Sequence, residues 1–227
     1  MGFLDKLLGR GGASPAHKEA RGEDVASRLD GLAQLDRKWS SEALRRRVRD
    51  VFFAVQRSWI ERDPGIGQPY MTEQLMDRQR LRIDGLIAQH RVHQFENPLI
   101  EDLDFVSFDE GDPNTVDEPR VTTALEISLV ETILNADTGA LVAGRANHKI
   151  QNAEYWTFVF RDGKWLLDEV EQPGEGARHM KAPLVGGDYA TLSPEMVLRE
   201  RYARDEMTLE EFEAEMAKLL EKTDPTY

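Results

Sequence analysis

Between Ser41 and Arg62 apolar residues recur every three or four positions. Leu44, Val48, Val51, Phe52, Val55 and Trp59 form one stripe, and Arg45, Arg46, Arg49 and Arg57 lie off it. That spacing predicts a helix over 41–62 with one buried face. Ser40 or Ser41 offers an N-cap oxygen, and Asp63-Pro64-Gly65 stops the helix. A weaker helical period covers 24–38 in Val25, Leu29, Leu32 and Leu35, interrupted by Gly31. A further helical region starts at a Thr72 cap. Its apolar positions are Leu75, Met76, Leu81, Ile83, Leu86, Ile87, Val92 and Phe95, with a bend expected at Gly85 and an end at Pro98.

From residue 101 the period changes to two. Leu103, Phe105, Val106 and Phe108 mark a strand, and an acidic turn follows over 109–119. Val121, Thr123, Leu125, Ile127 and Leu129 line one face of a longer strand that runs to Leu134. Asp137-Thr138-Gly139 is a turn, and Leu141 to Ile150 a further strand. The densest signal is 154–170, two strands joined at Asp162-Gly163, a dipeptide suited to a tight hairpin with positive φ at both central positions. Trp156, Phe158 and Phe160 alternate along the first strand, and Trp165 and Leu167 continue a face on the second. Helices followed by four to five antiparallel strands predict an α+β fold, with a curved sheet wrapped on the helices.

The ends of the chain read differently. Residues 1–10 could form a short amphipathic helix with Phe3, Leu4, Leu7 and Leu8 on one side, touching a membrane surface or a partner. Glycines and prolines make 172–191 a linker. A helical pair then follows: Ser193-Pro194 opens one helix, and Thr208-Leu-Glu-Glu211 is a capping box for the next. Leu198, Tyr202, Phe212, Met216 and Leu219 are the apolar positions expected to bind a partner or a second copy.

Charge sharpens this picture. The net charge is −13, and it is uneven: residues 1–60 carry +4, 61–94 balance, and 95–227 carry −17. An acidic body excludes a nucleic-acid backbone as partner. The Arg45-Arg46-Arg47 run has no interleaved aromatics and reads as a solvated helix face. There is no cysteine, hence no disulfide or thiolate metal site. No apolar run approaches the ~20 residues of a membrane span. These features place the protein in the cytoplasm, with contact at the inner face of the membrane as an option.

Candidate chemistry is sparse. His93, His148 and Tyr155, with Asp102, Asp104 or Glu126, are the groups that could act as acid or base in a pocket. His90 and His93 have i, i+3 spacing on an expected helix but no third metal ligand in register. Asp109, Asp112, Asn114 and Asp117 lack the spacing of a calcium loop. There is no nucleophile elbow, phosphate loop or Rossmann glycine pattern. No catalytic residue, metal or cofactor is expected.

Three motifs occur in order: Asp36-x-x-Trp39-Ser40, then Val51-Phe52-x-x-x-Gln56-x-x-Trp59, then Glu154-x-Trp156-Thr157-Phe158 with Arg161 and Lys164-Trp165-x-Leu167. Together, over about 36–171, they resemble the Tim44-like family, named for the scaffold subunit that tethers the mitochondrial import motor to the inner membrane and with many bacterial members. The tail, through Leu198-Arg-Glu-Arg-Tyr-Ala-Arg204, Glu206-Met207-Thr208, Glu211-Phe212 and Leu219-Leu220, resembles the short C-terminal module called SHOCT. These resemblances imply an amphipathic segment and linker at 1–35, a cone domain of the nuclear-transport-factor-two-like kind at 36–171, the linker at 172–191, and a SHOCT-like pair at 192–227. They imply a non-catalytic scaffold or binding protein. Its cone would hold an apolar ligand, acyl chain or peptide segment in a pocket lined by Phe52, Phe105, Leu125, Ile127, Trp156 and Phe158, and its tail would bind a protein partner or itself. The alternative is a small-molecule isomerase or cyclase of the same superfamily. Solvent exposure of His148 would remove that alternative's best base.

Overall fold

Six helices and four strands account for most of the residues described in this computed structural model, which are 15–111, 117–182, 184, 194–203 and 207–223. The helices are α1 (Pro15–Leu32), α2 (Ser41–Glu61), α3 (Glu73–Ala88), α4 (Pro173–Gly176), α5 (Pro194–Ala203) and α6 (Leu209–Thr223). The strands are β1 (Arg91–Asp109), β2 (Arg120–Asn135), β3 (Leu141–Arg161) and β4 (Lys164–Glu171), antiparallel in the order β1-β2-β3-β4. The chain divides into two compact units. One comprises the described residues of Met1–Val25 and Arg45–Leu184, the other those of Ala26–Leu44 and Val185–Tyr227. The segment with Phe3, Leu4, Leu7 and Leu8 lies outside the described residues, as do Asp112 and Asn114.

The larger unit is built on the sheet. Residues opposite each other on neighbouring strands point to the same side. The register therefore puts Phe105, Thr123 and Trp156 on one face, with Leu103, Leu125 and Glu154. α2 covers that face: the Phe52 ring lies 6.0 Å from Trp156, and the Arg45 guanidinium stands 4.9 Å from the centre of the Phe105 ring. The opposite face carries Ala124, Glu126 and Tyr155. It is covered by the start of α1, where Lys18 reaches Asp102 and Glu126, and by Met180, which clusters with Val106, Ala124 and Tyr155. Because both faces are covered, every residue from Val121 to Leu125 is buried, not only the alternate ones expected from the sequence. The hairpin at Asp162-Gly163 has φ of 51° and 74°, as the dipeptide requires.

Two sequence expectations change here. The helix expected to continue to Phe95 stops at Ala88. His90 turns the chain with φ 53°, and Arg91 to Glu96 pair with Asn135 to Val130. Hydrogen bonding to a long partner strand wins over a local helical period that was weak beyond Gly85. Pro98 sits where the β1–β2 register shifts between Glu96 and Leu99, a bulge that needs no amide from proline. Leu81 and Ile87, two of the apolar positions of that helical region, are exposed. The second change concerns 172–182. This stretch is no free linker: α4 and a 3-10 turn at His179–Lys181 fold against the sheet, and Met180 is buried. The rest of the expected linker, apart from Leu184, lies outside the described residues.

β3 also carries an excursion. Val130 pairs with Lys149 and Thr132 with Gly144, so Arg145 to His148 stand opposite Glu131 alone. Asn147 and Gly144 take φ of 60° and 88° to make that detour.

In the smaller unit Leu29, Leu32, Leu35, Trp39, Leu44, Val197 and Leu198 are buried. Asp36 caps the 3-10 turn that follows α1, accepting from the Lys38 amide at 3.0 Å. Asp30 accepts from the Ser41 amide at 2.9 Å at the start of α2, a cap brought from α1. The capping box of α6 forms: Glu211 accepts from the Thr208 amide at 2.8 Å, and Thr208 Oγ1 from the Glu211 amide at 3.2 Å. Tyr202 of α5 stacks on Phe212 of α6 at 5.0 Å.

Candidate functional site

The six residues expected to line a pocket are core residues. Phe52, Phe105, Leu125, Ile127, Trp156 and Phe158 are each 3% exposed or less. Ile127 also borders a small cleft of about 170 Å³ with Glu101, Glu126, Gln151, Asn152 and Ala153. The aromatics pack ring to ring, Phe52 on Trp156 and Trp156 on Phe158 at 6.5 Å.

Toward the end of the sheet where β4 is absent, the α2 face becomes polar. Glu154 accepts from Trp156 Nε1 at 2.8 Å, which gives the Glu154-x-Trp156 motif a physical role. Burial, helped by the charge of Glu131, pushes the Glu154 carboxyl above the ordinary range, against the opposing bonds from Trp156 and Gln172. Glu131 is bonded to His93 at 2.6 Å, and His93 packs between Trp59 at 5.6 Å and Phe95 at 4.3 Å. Gln56 lies on the same α2 stripe, one turn from Phe52 and one from Trp59, and its Oε1 is buried without a hydrogen-bond partner. Sequence reasoning named His93 but missed its bond to Glu131, 38 residues away in the chain.

The remaining candidate acids and bases do not converge. His148 is exposed on the β3 excursion. Tyr155 lies on the opposite sheet face, stacked on His179 at 6.3 Å, and burial raises its phenol. His90 and His93 are not on a helix: one is in a turn, the other in β1, and no metal-binding cluster occurs among the described residues. Asp102, Asp104 and Glu126 gather around Lys18, at 2.7, 3.6 and 2.6 Å. Burial opposes the Lys18 ammonium, but its bonds to Asp102 and Glu126 outweigh that and raise its pKa. Burial likewise opposes ionised Asp102, and Lys18 overrides it and holds Asp102 low. Asp104 is raised, by burial and then by the charge of Asp102. Nearby, Arg21 donates to the carbonyls of Val106, His179 and Ala182 at 2.5, 3.0 and 2.6 Å. The two cations fasten the start of α1 to the sheet.

This network has a testable pH signature. A depressed Asp102 contributes stability above the ordinary aspartate pKa of ~3.9, and the contribution fades as pH falls through the lower folded value. Asp104 opposes it in sign, since its raised pKa makes ionisation a cost to the fold. Lys18→Met should therefore cost about 1–2 kcal/mol at neutral pH, reduced by the partial exposure of Asp102 and Glu126. Most of that loss should vanish once pH falls below the depressed folded value of Asp102, itself under the ordinary ~3.9. Urea unfolding of both proteins across a pH series from 7 downward measures it, and a penalty that stays equal throughout would contradict the assignment.

A second buried acid was not anticipated. Glu171, 4% exposed, pairs with Arg178 and accepts from His179 Nε2 at 2.8 Å, while His179 Nδ1 lies 3.4 Å from Ser107 Oγ. In the smaller unit, a cleft of about 530 Å³ is lined by Asp30, Gln34, Val197, Leu198, Arg201 and Leu219 among others.

A profile of the Tim44-like domain matches residues 25–172. The chain belongs to the Tim44-like domain family. No curated protein matches the chain. Among solved structures, the intermembrane-space region of the chloroplast protein ARC6 superposes with a TM-score of 0.39 at 10% identity, covering 56% of this chain and 94% of that one. The α+β architecture of this Tim44-like protein, a curved four-stranded antiparallel sheet with helices, agrees with the cone expected from its motifs. No described helix is long and apolar enough to cross a membrane.

Proposed function

We propose that this Tim44-like protein is a non-catalytic scaffold, and that its C-terminal helices carry the contact with a protein partner or a second copy. Membership of the family supports the scaffold role. The observation that carries the reading is that, among the described residues, the candidate acids and bases do not converge: His148 is exposed, and Asp102, Asp104 and Glu126 are occupied with Lys18. The contact is assigned to the tail because Tyr202 and Leu209 remain 40% and 52% exposed on a short helical pair. The likeness to a SHOCT module points the same way. Residues 1–10, with Phe3, Leu4, Leu7 and Leu8, would add a membrane or partner contact, on the cytoplasmic side.

Deleting 192–227 should lower the molar mass measured by light scattering, or abolish capture of a partner. Leu209→Glu changes one exposed side chain and leaves the core intact, so it should reproduce the loss with an unchanged thermal melt. If both variants keep the mass and the partners of the full chain, the tail is a cap and the assignment fails.

A further inference from the structure

We propose that the cleft of the smaller unit binds a carboxylate carried on an apolar stem, held by Arg201 and covered by Val197, Leu198 and Leu219. The cleft has a volume of about 530 Å³, ordinary for a small-molecule site, and α1, α5 and α6 wall it. Arg201 is the group in it that lacks a counterpart. Among the described residues it makes no hydrogen bond and no ion pair, and its Nε is buried without an acceptor. The residue as a whole is half-buried and lines the cleft, so its terminal amino groups are the part that the cleft reaches. A guanidinium with one edge desolvated and no acceptor is costly, and natural folds keep few such groups.

The second ground is charge. The acids around Arg201 already have donors of their own. Asp30, which lines the cleft, accepts from the Ser41 amide at 2.9 Å and the Ser41 hydroxyl at 2.8 Å, at the start of α2. Glu215 pairs with Lys218 and Asp36 with Lys38, each at 2.6 Å. Glu211, like Asp36 within reach of the Arg201 charge, caps α6. A carboxylate at a helix N-terminus is offset by the helix dipole. Arg201 is left as the unmatched charge of the cleft. A guanidinium presents parallel N–H groups that fit the two oxygens of one carboxylate. Val197 and Leu198, with Pro194 and Leu219, make the neighbouring wall apolar. A phosphate would bring a second charge beside Asp30 and Glu215, an ammonium would meet Arg201, and a plain hydrocarbon would leave Arg201 unmet. Two sources share the favoured chemistry: a free alkyl carboxylic acid, and the carboxyl terminus of an apolar peptide. Tyr202 and Leu209, which carry the proposed partner contact, are not among the lining residues, so the site goes beyond that reading.

The test uses the full-length protein. Calorimetric titration with octanoate should show binding, while octanol at the same concentrations should not. Arg201→Gln removes the charge and should weaken octanoate about tenfold or more. Gln34 also lines the cleft and is exposed, so Gln34→Glu adds a negative charge there without touching the core. It should weaken octanoate by a smaller factor, and it decides the matter if Arg201→Gln does not fold. Circular dichroism melts establish which variants are folded. An apolar peptide with a free carboxyl terminus that binds more tightly than octanoate, and loses binding when amidated, identifies a peptide source. A peptide that fails where octanoate succeeds identifies a free acid. Equal responses to octanoate and octanol, or an unchanged affinity in the folded variants, overturn the site. Leu209→Glu, which tests the partner contact, should leave octanoate affinity unchanged, so the two readings fail separately.

Discussion

Trp156→Ala will lower the unfolding free energy by about 3–5 kcal/mol, the range for deleting a large buried aromatic. Trp156 is 2% exposed and touches Phe52 on α2 and Phe158 along β3. Its loss opens a hole where helix meets sheet, and rigid neighbours cannot close it. It also removes the Nε1 donor from Glu154, leaving that acid with less to hold it. Against a typical domain stability of about 5–15 kcal/mol, much of the margin disappears. A denaturant titration gives the value. A midpoint equal to that of the wild type would mean that α2 and the β3–β4 hairpin do not share one core.

Gly176→Val is the second large effect, at about 1–3 kcal/mol or somewhat more. Any Cβ at Gly176 would overlap the root of the Tyr155 ring, which is itself buried. The ring cannot swing aside, because its far side is stacked with His179 and its root is held by the β3 backbone. The short α4 must therefore lift, drawing with it Met180 and the His179–Glu171 contact. The expected result is a lower melting temperature together with faster amide exchange across 173–182. Normal exchange there, with a normal melt, would show that the segment is not fixed by this contact.

The resemblance motifs acquire separate physical explanations in the structure. Asp36 caps the turn that holds buried Trp39, Glu154 accepts from Trp156, and Arg161 makes a two-pronged pair with Glu118 at 2.5 and 2.6 Å. These contacts span two to 43 residues. Only the short ones could be read from spacing.

The local periods determined α2, the Asp162-Gly163 hairpin, the strand from Val121 and the capping box of α6, because each is decided by neighbours within a few residues: a stripe at helical spacing, two residues with positive φ, or a reciprocal cap. Composition likewise determined the acidic, cysteine-free character. The tertiary structure alone decided where α3 ends, since Arg91 to Phe95 become strand only when Glu131 to Asn135 arrive to pair with them. It alone decided that 172–182 packs, because the surface that receives Met180 comes from β1, β2 and β3. It also buried the residues expected to line a pocket, since that depends on how closely α2 approaches the sheet. Contacts between residues dozens of positions apart leave no periodic trace in the chain, and only the curvature and register of the sheet bring them together.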